Sequence, residues 1–197
     1  MIVSLDTLIA GARAGKLVSF PTDTVPALAS LPSYAKLIYT AKQRSQDKPL
    51  ILMGASASDL WSFVTGSEEE YKIWQKIAHK YWPGALTLVL PASALVPDSV
   101  LSISQQDVKT IGIRVPNSAI AQTILQQTGP LATTSANISG QPPLLTMAEI
   151  ETQFPNVLTL EAGEDKNEIP AIGLPSTVAK WTGKNWQILR QGAVNLS

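Results

Sequence analysis

The 197-residue chain contains no cysteine and a single histidine, His79. The absence of cysteine excludes disulfides, a thiol nucleophile, an iron–sulfur cluster and a cysteine-ligated zinc site. One histidine argues against a histidine-rich metal site. Because His79 lies beside Lys76 and Lys80 in a predicted helix, away from any serine–aspartate context, we expect no catalytic role for it.

The signature motifs of several common enzyme classes are also missing. The chain has no G-x-S-x-G, P-loop or G-x-G-x-x-G segment, which removes the usual hydrolase, P-loop and Rossmann signatures. No apolar run reaches the roughly 18 residues of a membrane span, and the first residues lack the basic start of an export signal. With 45% hydrophobic and 15% charged residues, we expect one soluble, cytoplasmic domain over residues 1–197.

Charge of either sign is scarce and balanced, with 15 Lys+Arg against 15 Asp+Glu. A formal net charge of zero argues against electrostatic capture of nucleic acid over the whole surface. It leaves room for a local basic cleft, since residues 24–58 contain four bases and one acid.

Helical apolar spacing predicts several helices. Leu5 to Ala12 forms the first, and Ser33 is expected to cap a second whose inward face is Tyr34, Leu37, Ile38 and Ala41. Capping-box patterns indicate helix starts at Ser67 and Thr146, and a further helix runs from Asn117 or Ser118 to Gly129. The same scan predicts strands at residues 17–20, 50–53, 85–90, 108–115, 131–134, 157–160, 176–181 and 186–189, and a solvated loop at 161–168. This mixture favours an α/β fold of the mixed α+β kind.

Polar residues collect where predicted strands end. Thr22, Asp23 and Thr24 follow one strand, and either a simple turn or a functional group of side chains explains them. The segment 133–140 follows another strand and combines small polar residues with a glycine, which suits a loop around a ligand. A surface turn is the alternative there, weakened by the apolar strand that precedes it.

Three cations, Lys42, Arg44 and Lys48, lie between a predicted helix and a buried strand. Interaction with the negative end of the helix explains the first two but not Lys48. Such a group of donors is what phosphate oxygens require. Arg114 and Arg190 are each flanked by apolar strand residues, so each needs a partner, most commonly a carboxylate or a phosphate.

Seven segments resemble, in order, those of the YrdC/Sua5 family. They are Pro21-Thr22-Asp23-Thr24-Val25, Lys42-x-Arg44…Lys48-Pro49-Leu50, Trp82-Pro83-Gly84-Ala85-Leu86-Thr87, Arg114-Val115-Pro116, Ser135-Ala136-Asn137-x-Ser139-Gly140, Ser176-Thr177-Val178 and Leu189-Arg190-x-Gly192. The match extends over roughly residues 17–193 and looks like the short, single-domain bacterial form.

The resemblance implies a twisted, mostly mixed sheet flanked by helices around a positively charged concave cleft. It implies synthesis of threonylcarbamoyl-AMP from L-threonine, bicarbonate and ATP, with Mg²⁺ accompanying ATP, for the threonylcarbamoyladenosine modification of tRNA. Transient contact with the machinery that transfers the threonylcarbamoyl group, and weak RNA binding, are expected from the same resemblance. No side-chain metal ligand is implied.

Residue by residue, the resemblance implies three sets of contacts. Threonine would be bound by Thr24, Arg114, Thr133 and Ser176. ATP would be bound by Arg44, Lys48, Thr110, Ser135, Asn137 and Arg190. Lys42 and Arg44 would act on the departing pyrophosphate as catalytic residues.

The chain departs from the family pattern at a few positions. Pro26-Ala27 replaces a Tyr-Gly pair, Ser45 replaces a proline, Met53 stands where longer members often have histidine, and Pro143 stands where serine is common. We expect these changes to affect substrate affinity more than reaction class.

Two alternatives stay open. The same fold could serve as a binding module for double-stranded RNA or tRNA without catalysis, recognisable by steeply salt-dependent RNA affinity. A diverged paralogue could bind a nucleotide without selecting threonine. The net charge of zero disfavours the RNA-binding module.

Overall fold

One mixed sheet organises the parts of the chain that the computed structural model describes, residues 1–46, 48–103, 108–161 and 171–196. The strands are β1 (Ile2–Val3), β2 (Val18–Phe20), β3 (Ala27–Ser30), β4 (Ile51–Met53), β5 (Leu86–Pro91), β6 (Ser102–Ile103), β7 (Lys109–Arg114), β8 (Leu131–Ser135), β9 (Leu158–Leu160), β10 (Thr177–Trp181) and β11 (Trp186–Arg190). They follow the order β1-β9-β2-β3-β8-β4-β7-β5-β10-β11, and β6 pairs with β7. The mixed α/β fold expected from the sequence is confirmed.

Helices pack on both faces of this sheet. They are α1 (Leu5–Arg13), α2 (Lys36–Lys42), α3 (Glu68–Tyr81), α4 (Ala119–Thr128) and α5 (Met147–Gln153). Residues of α2, α3 and α5 join one apolar core, and residues of α1 and α4 join the other. In β3, Leu28 belongs to the first core whereas Ala27 and Ala29 belong to the second, as the alternation of a strand requires.

The predicted helix starts are confirmed at three places. Ser67 and Thr146 form complete capping boxes with Glu70 and Glu149, and the Ser118 side chain caps α4. Each cap satisfies backbone N–H groups that the helix itself leaves without a partner.

The predicted helix after Ser33 is wrong at its start. Pro32–Tyr34 forms a short 3₁₀ turn, and α2 begins after Ala35 with no side-chain cap. Tyr34 and Leu37 are exposed, while Ala35, Ile38 and Tyr39 are buried. The proline begins the tighter turn, and this rotates the helix by about one position relative to the predicted inward face.

Strand β3 was not predicted, although it lies in the middle of the sheet between β2 and β8. Its sequence, Ala-Leu-Ala-Ser, has little intrinsic preference for strand, so its neighbours determine its conformation. The predicted solvated loop at 161–168 lies, from residue 162 onward, outside the described residues.

No helix in the described ranges is both long enough and apolar enough to cross a bilayer.

Replacing Leu88 by alanine tests the first core. Leu88 is fully buried on β5, so Leu88→Ala should lower the free energy of unfolding by about 2–5 kcal/mol through lost burial and a cavity. Urea denaturation followed by tryptophan fluorescence measures it. Leu95→Ala, the same change at a 64% exposed side chain, is the matched control; equal losses in the two variants would contradict this packing.

Candidate active site

A cavity of about 390 Å³ is lined by residues of the strands β3, β4, β5, β7, β8, β10 and β11. Three of these strands, β5, β7 and β10, send alternate residues to opposite sides. Leu88, Ile113 and Ala179 enter the first core, while their neighbours line the cavity. The same strands therefore build the core and the cavity floor.

The register across the sheet places five of the lining residues in one row. Lys180 is paired with Val89, Val89 with Gly112, Gly112 with Ile51, and Ile51 with Thr133. A Cβ atom at Gly112 would lie 3.3 Å from Thr87 Cγ2 and 3.4 Å from Ile51 Cγ1. Glycine in the centre of the row therefore keeps the floor open to a ligand.

A buried ion pair joins β7 to the turn after β2. The Arg114 guanidinium donates to Asp23 Oδ1 at 2.6 Å, to Thr24 Oγ1 at 2.8 Å and to the Gly84 carbonyl at 3.0 Å. Both charged side chains are only 5% exposed. Burial lowers the pKa of Arg114, and Asp23 opposes that effect by stabilising the positive charge.

The Asp23 pair settles the two interpretations of the 22–24 segment. Local bonds typical of a turn are present, since Thr22 Oγ1 donates to the Val25 carbonyl at 2.8 Å. Asp23 nevertheless reaches across the fold to Arg114, 91 residues later in the chain. The segment is thus both a turn and one wall of the cavity.

Arg190 and Ser176 form the opposite wall. Arg190 donates through Nε and Nη2 to the Ser176 carbonyl at 3.1 and 2.9 Å, and Ser176 Oγ lies 2.9 Å from Thr87 Oγ1. Partial burial lowers the pKa of Arg190, and its charge lowers the pKa of Arg114. The two guanidinium groups therefore act on each other across the site. Gly192 permits the chain after Arg190 to pass close to Pro175, because a Cβ at Gly192 would lie 2.2 Å from the Pro175 carbonyl oxygen.

Arg44 and Lys48 lie on the loop between α2 and β4. Gln43, with φ of 50°, ends α2 in the left-handed conformation and redirects the chain. Arg44 donates to the carbonyls of Lys48 at 3.3 Å and Pro49 at 3.0 Å. The arginine therefore shapes the loop that brings both cations to the cavity.

Lys42 and Asn137 lie behind the cavity. Lys42 is fully buried, and its ammonium donates to the Ser135 carbonyl and, at 3.0 Å, to Asn137 Oδ1. Burial, with a smaller contribution from the charge of Arg44, lowers the pKa of Lys42 to about 7. Neither Lys42 nor Asn137 lines the cavity.

The structure brings together most of the predicted site residues. Those that line the cavity are Thr24, Arg44, Lys48, Thr110, Arg114, Thr133, Ser135, Ser176 and Arg190. His79 is exposed on α3, away from this cavity. Two of the departures from the family pattern, Ala27 and Met53, also contribute to the lining.

Sequence reasoning assigned no role in the site to Asp23 or Lys180. Asp23 gave a signal, because it was the carboxylate between two threonines, but its partner is distant in sequence. Lys180 lines the cavity from β10, and the strand alternation that buries Ala179 and Trp181 could have identified it. The Lys180 side chain makes no hydrogen bond or ion pair within the described ranges.

The cavity carries a surplus of positive charge. Asp23 balances Arg114, whereas Arg44, Lys48, Lys180 and Arg190 add further cations to the lining. No carboxylate is among the lining residues in the described part of the chain. Charge of one sign in a concave site concentrates ligands of the opposite sign, so fold and site together define an α/β protein with a cavity suited to a small anionic ligand.

Comparison with known proteins identifies the family. Residues 11–192 match the Sua5/YciO/YrdC family model, which is described as "Telomere recombination". The chain belongs to this family.

Relatives differ in length. The threonylcarbamoyl-AMP synthase of Pyrococcus abyssi is 34% identical over 190 residues, covering 93% of this chain and 52% of that protein. The synthase of Vibrio campbellii is 30% identical over 193 residues, covering 96% of this chain and 99% of that protein. The chain thus spans about half of the archaeal relative and nearly all of the Vibrio relative.

Solved structures agree in fold. P. abyssi Sua5 complexed with L-threonine superposes with a TM-score of 0.84 and 31% identity, covering 98% of this chain and 57% of that one. Escherichia coli YciO gives a TM-score of 0.79 at 24% identity, covering 97% of this chain and 90% of that one, and supports the fold alone.

Replacing Asp23 tests the buried pair. Asp23→Ala should lower the free energy of unfolding by about 3–5 kcal/mol, because it leaves the Arg114 charge buried without compensation. Asp98→Ala is the control, since Asp98 pairs with Lys109 at 3.0 Å but is 85% exposed. Chemical denaturation should show a much smaller loss for the control. Similar losses would show that the Asp23–Arg114 pair is not the buried contact described.

Proposed function

We propose that the protein is an L-threonylcarbamoyladenylate synthase, which condenses L-threonine, bicarbonate and ATP to threonylcarbamoyl-AMP and pyrophosphate. The observation that carries the proposal is a cavity where the described lining residues include four cations and no carboxylate beside a neutralised Arg114–Asp23 pair. The relatives named as this synthase support it. An amino acid and a polyanionic nucleotide need these two environments side by side.

The threonine end is assigned to the surroundings of Arg114. A guanidinium has five N–H donors, and three are used by Asp23, Thr24 and Gly84. Two therefore remain for an amino-acid carboxylate. The hydroxyls of Thr24, Thr133 and Ser176 and the side chain of Met53 complete this end, which suits a ligand with both a hydroxyl and a methyl group.

The ATP end is assigned to Arg44, Lys48, Thr110, Ser135 and Arg190. Arginine binds phosphate oxygens as a planar fork and lysine as a mobile charge. The described lining residues include no carboxylate set of the kind that Mg²⁺ prefers. Mg²⁺ would therefore enter with the phosphates of ATP and help to neutralise them.

The chemistry needs no covalent intermediate with the protein. The threonine amine adds to bicarbonate and water leaves, which gives a carbamate. A carbamate oxygen then attacks the α-phosphorus of ATP, and the bond to the bridging oxygen breaks as pyrophosphate departs. The cationic lining would stabilise the charge that develops on pyrophosphate, while the walls hold carbamate and phosphorus in line. This accounts for an active site without cysteine or histidine.

We place the reaction in the cytoplasm, with the product passed to machinery that transfers the threonylcarbamoyl group to tRNA. Direct RNA binding by this chain would be weak, because its formal net charge is zero.

Labelled bicarbonate tests the reaction directly. The purified protein should incorporate the label into an adenylate and release pyrophosphate only when ATP and an amino acid are both present. Comparison of the twenty amino acids should give threonine the highest kcat/KM. Salt-dependent RNA binding without incorporation would support the binding module instead, and incorporation indifferent to threonine would support the diverged paralogue.

Arg44 provides the sharpest variant at the phosphate end. Arg44→Ala should lower kcat/KM for ATP by roughly 10²-fold or more, because it removes a charged contact to the phosphates. Arg13→Ala removes an exposed arginine on α1, which donates to the Gln127 carbonyl at 2.8 Å far from the cavity lining. Pyrophosphate release should be near normal in that control. Near-normal release by both variants would remove Arg44 from the site.

A Lys180 variant tests whether this lysine, which the structure places in the cavity lining, contributes to ATP binding. Lys180→Met keeps an unbranched side chain of nearly the same length and removes its charge, so the KM for ATP should rise roughly tenfold while the KM for threonine changes little. Lys184→Met makes the same change at an exposed turn and should leave both constants unchanged. An unaltered KM for ATP in Lys180→Met would mean that this lysine does not contact the nucleotide.

A further inference from the structure

Lys42 is the buried cation that the proposed reaction leaves without a role. It is the last residue of α2, and its ammonium bonds to the Ser135 carbonyl and to Asn137 Oδ1. Its own carbonyl accepts from the Ser139 N–H at 3.0 Å. These hydrogen bonds connect the end of α2 to the loop that follows β8. The loop that carries Arg44 begins directly after this connection.

Asn137 is the centre of this connection. Its Oδ1 accepts from Ser135 Oγ at 2.6 Å as well as from Lys42, and its Nδ2 donates to the carbonyls of Ile138 at 2.9 Å and Gln141 at 2.6 Å. Every polar atom of the Asn137 side chain is therefore committed within the protein. The Asn137 side chain organises the Ser135 loop and contributes no free donor to a ligand.

An anion bound in the cavity would change which hydrogen bonds Ser135 and Asn137 make. Ser135 lines the cavity, but its hydroxyl proton is directed to Asn137. Phosphate oxygens only accept hydrogen bonds, so Ser135 must turn its proton toward the ligand to bind it. Asn137 Oδ1 then depends on Lys42 as its donor, and a charged ammonium is the stronger donor.

We propose that Lys42 is a positioning residue, which never touches the ligand but holds Ser135 and Asn137 for it, and that anion binding in the cavity is coupled to protonation of the Lys42 amine. The proposal rests on the proposed function only in taking the anion to be the phosphate chain of ATP.

The electrostatics of the cluster agree with this coupling. Since the pKa of Lys42 is lowered to about 7 by burial and by Arg44, a large fraction of the amine is unprotonated above neutral pH. Apart from Arg44, no titratable side chain occurs on β3, on β8 or in the segment 136–146, which carries the amine's partner Asn137. A phosphate beside Ser135 is negative and favours the charged amine, so the sign of the effect is proton uptake on binding, largest above pH 7 and absent well below it.

Calorimetry of Mg-ATP binding at about pH 8, in buffers with different ionisation enthalpies, measures the protons taken up. With a pKa of about 7, about nine in ten Lys42 amines are unprotonated at that pH. Uptake of up to about one proton is therefore expected for the wild type. Lys42→Met should abolish the uptake and weaken ATP binding roughly tenfold. The difference in proton uptake between this variant and the wild type should vanish near pH 5.5, where the wild-type amine is already protonated before ATP binds, whereas the difference in ATP affinity should persist.

Two further variants separate positioning from a general structural effect. Lys36→Met makes the same substitution at an exposed site on α2 and should keep the uptake. Asn137→Asp is isosteric and places a carboxylate beside the Lys42 amine. The carboxylate should keep the amine protonated before ATP binds, so proton uptake should be lost although Lys42 is still present. If Lys42→Met does not fold, this aspartate variant decides.

ATP binding by the wild type without proton uptake overturns the proposal, as does equal uptake by Lys42→Met or by Asn137→Asp, or a failure of ATP to bind. Uptake without bicarbonate incorporation would support the role of Lys42 while refuting the synthase activity, so the two proposals fail separately.

Discussion

The buried pair of Arg114 and Asp23 is the contact on which the cavity depends. Moving two charges out of water costs several kcal/mol per ion, and only close, well-bonded geometry offsets that cost. Arg114 offsets this cost by donating hydrogen bonds to Asp23 at 2.6 Å, to Thr24 at 2.8 Å and to the Gly84 carbonyl at 3.0 Å. One guanidinium thus fixes β7, the turn after β2 and the turn before β5 relative to one another.

The pair also reaches the segment that leads into β10. The N–H groups of Ile172 and Gly173 donate at 3.0 Å to the carbonyls of Asp23 and Thr24, and that segment continues to Ser176, where Arg190 is bound. The two walls of the cavity are therefore connected through the backbone next to the ion pair. Because Asp23 neutralises Arg114, the remaining cations of the lining determine the sign of the field that a ligand meets.

Strand alternation explains why so much of the fold was predictable and why some side chains were not. Strands such as 85–90 and 108–115 were visible because Leu88 and Ile113 lie among further apolar residues. The β3 strand gave no such signal, since Ala27 and Ser30 become extended only through pairing with β2 and β8. Local pattern predicts an element well when its own residues determine its conformation, and poorly when its neighbours do.

The candidate site shows the same limit at the level of single residues. Lys42 and Arg44 are two positions apart and were predicted to serve one set of phosphates. Gln43 adopts the left-handed conformation between them, so Lys42 enters the interior and Arg44 reaches the cavity. The ion pair of Asp23 was not predicted for a related reason, because a turn explains this residue locally and its partner lies on a strand that is distant in sequence. Long-range pairing is what periodicity and spacing cannot supply.

The neutral net charge is compatible with a cationic cavity because several acids act locally. Glu70 and Glu149 complete capping boxes, and hydrogen bonds from Ser67 and Thr146 lower the pKa of each carboxyl group. Their charges stabilise helix starts, and neither carboxylate lines the cavity. The cations of the cavity are therefore not cancelled by the sum over the chain. A field confined to one concavity favours a compact anion over an extended nucleic acid, which needs positive charge across a wide surface.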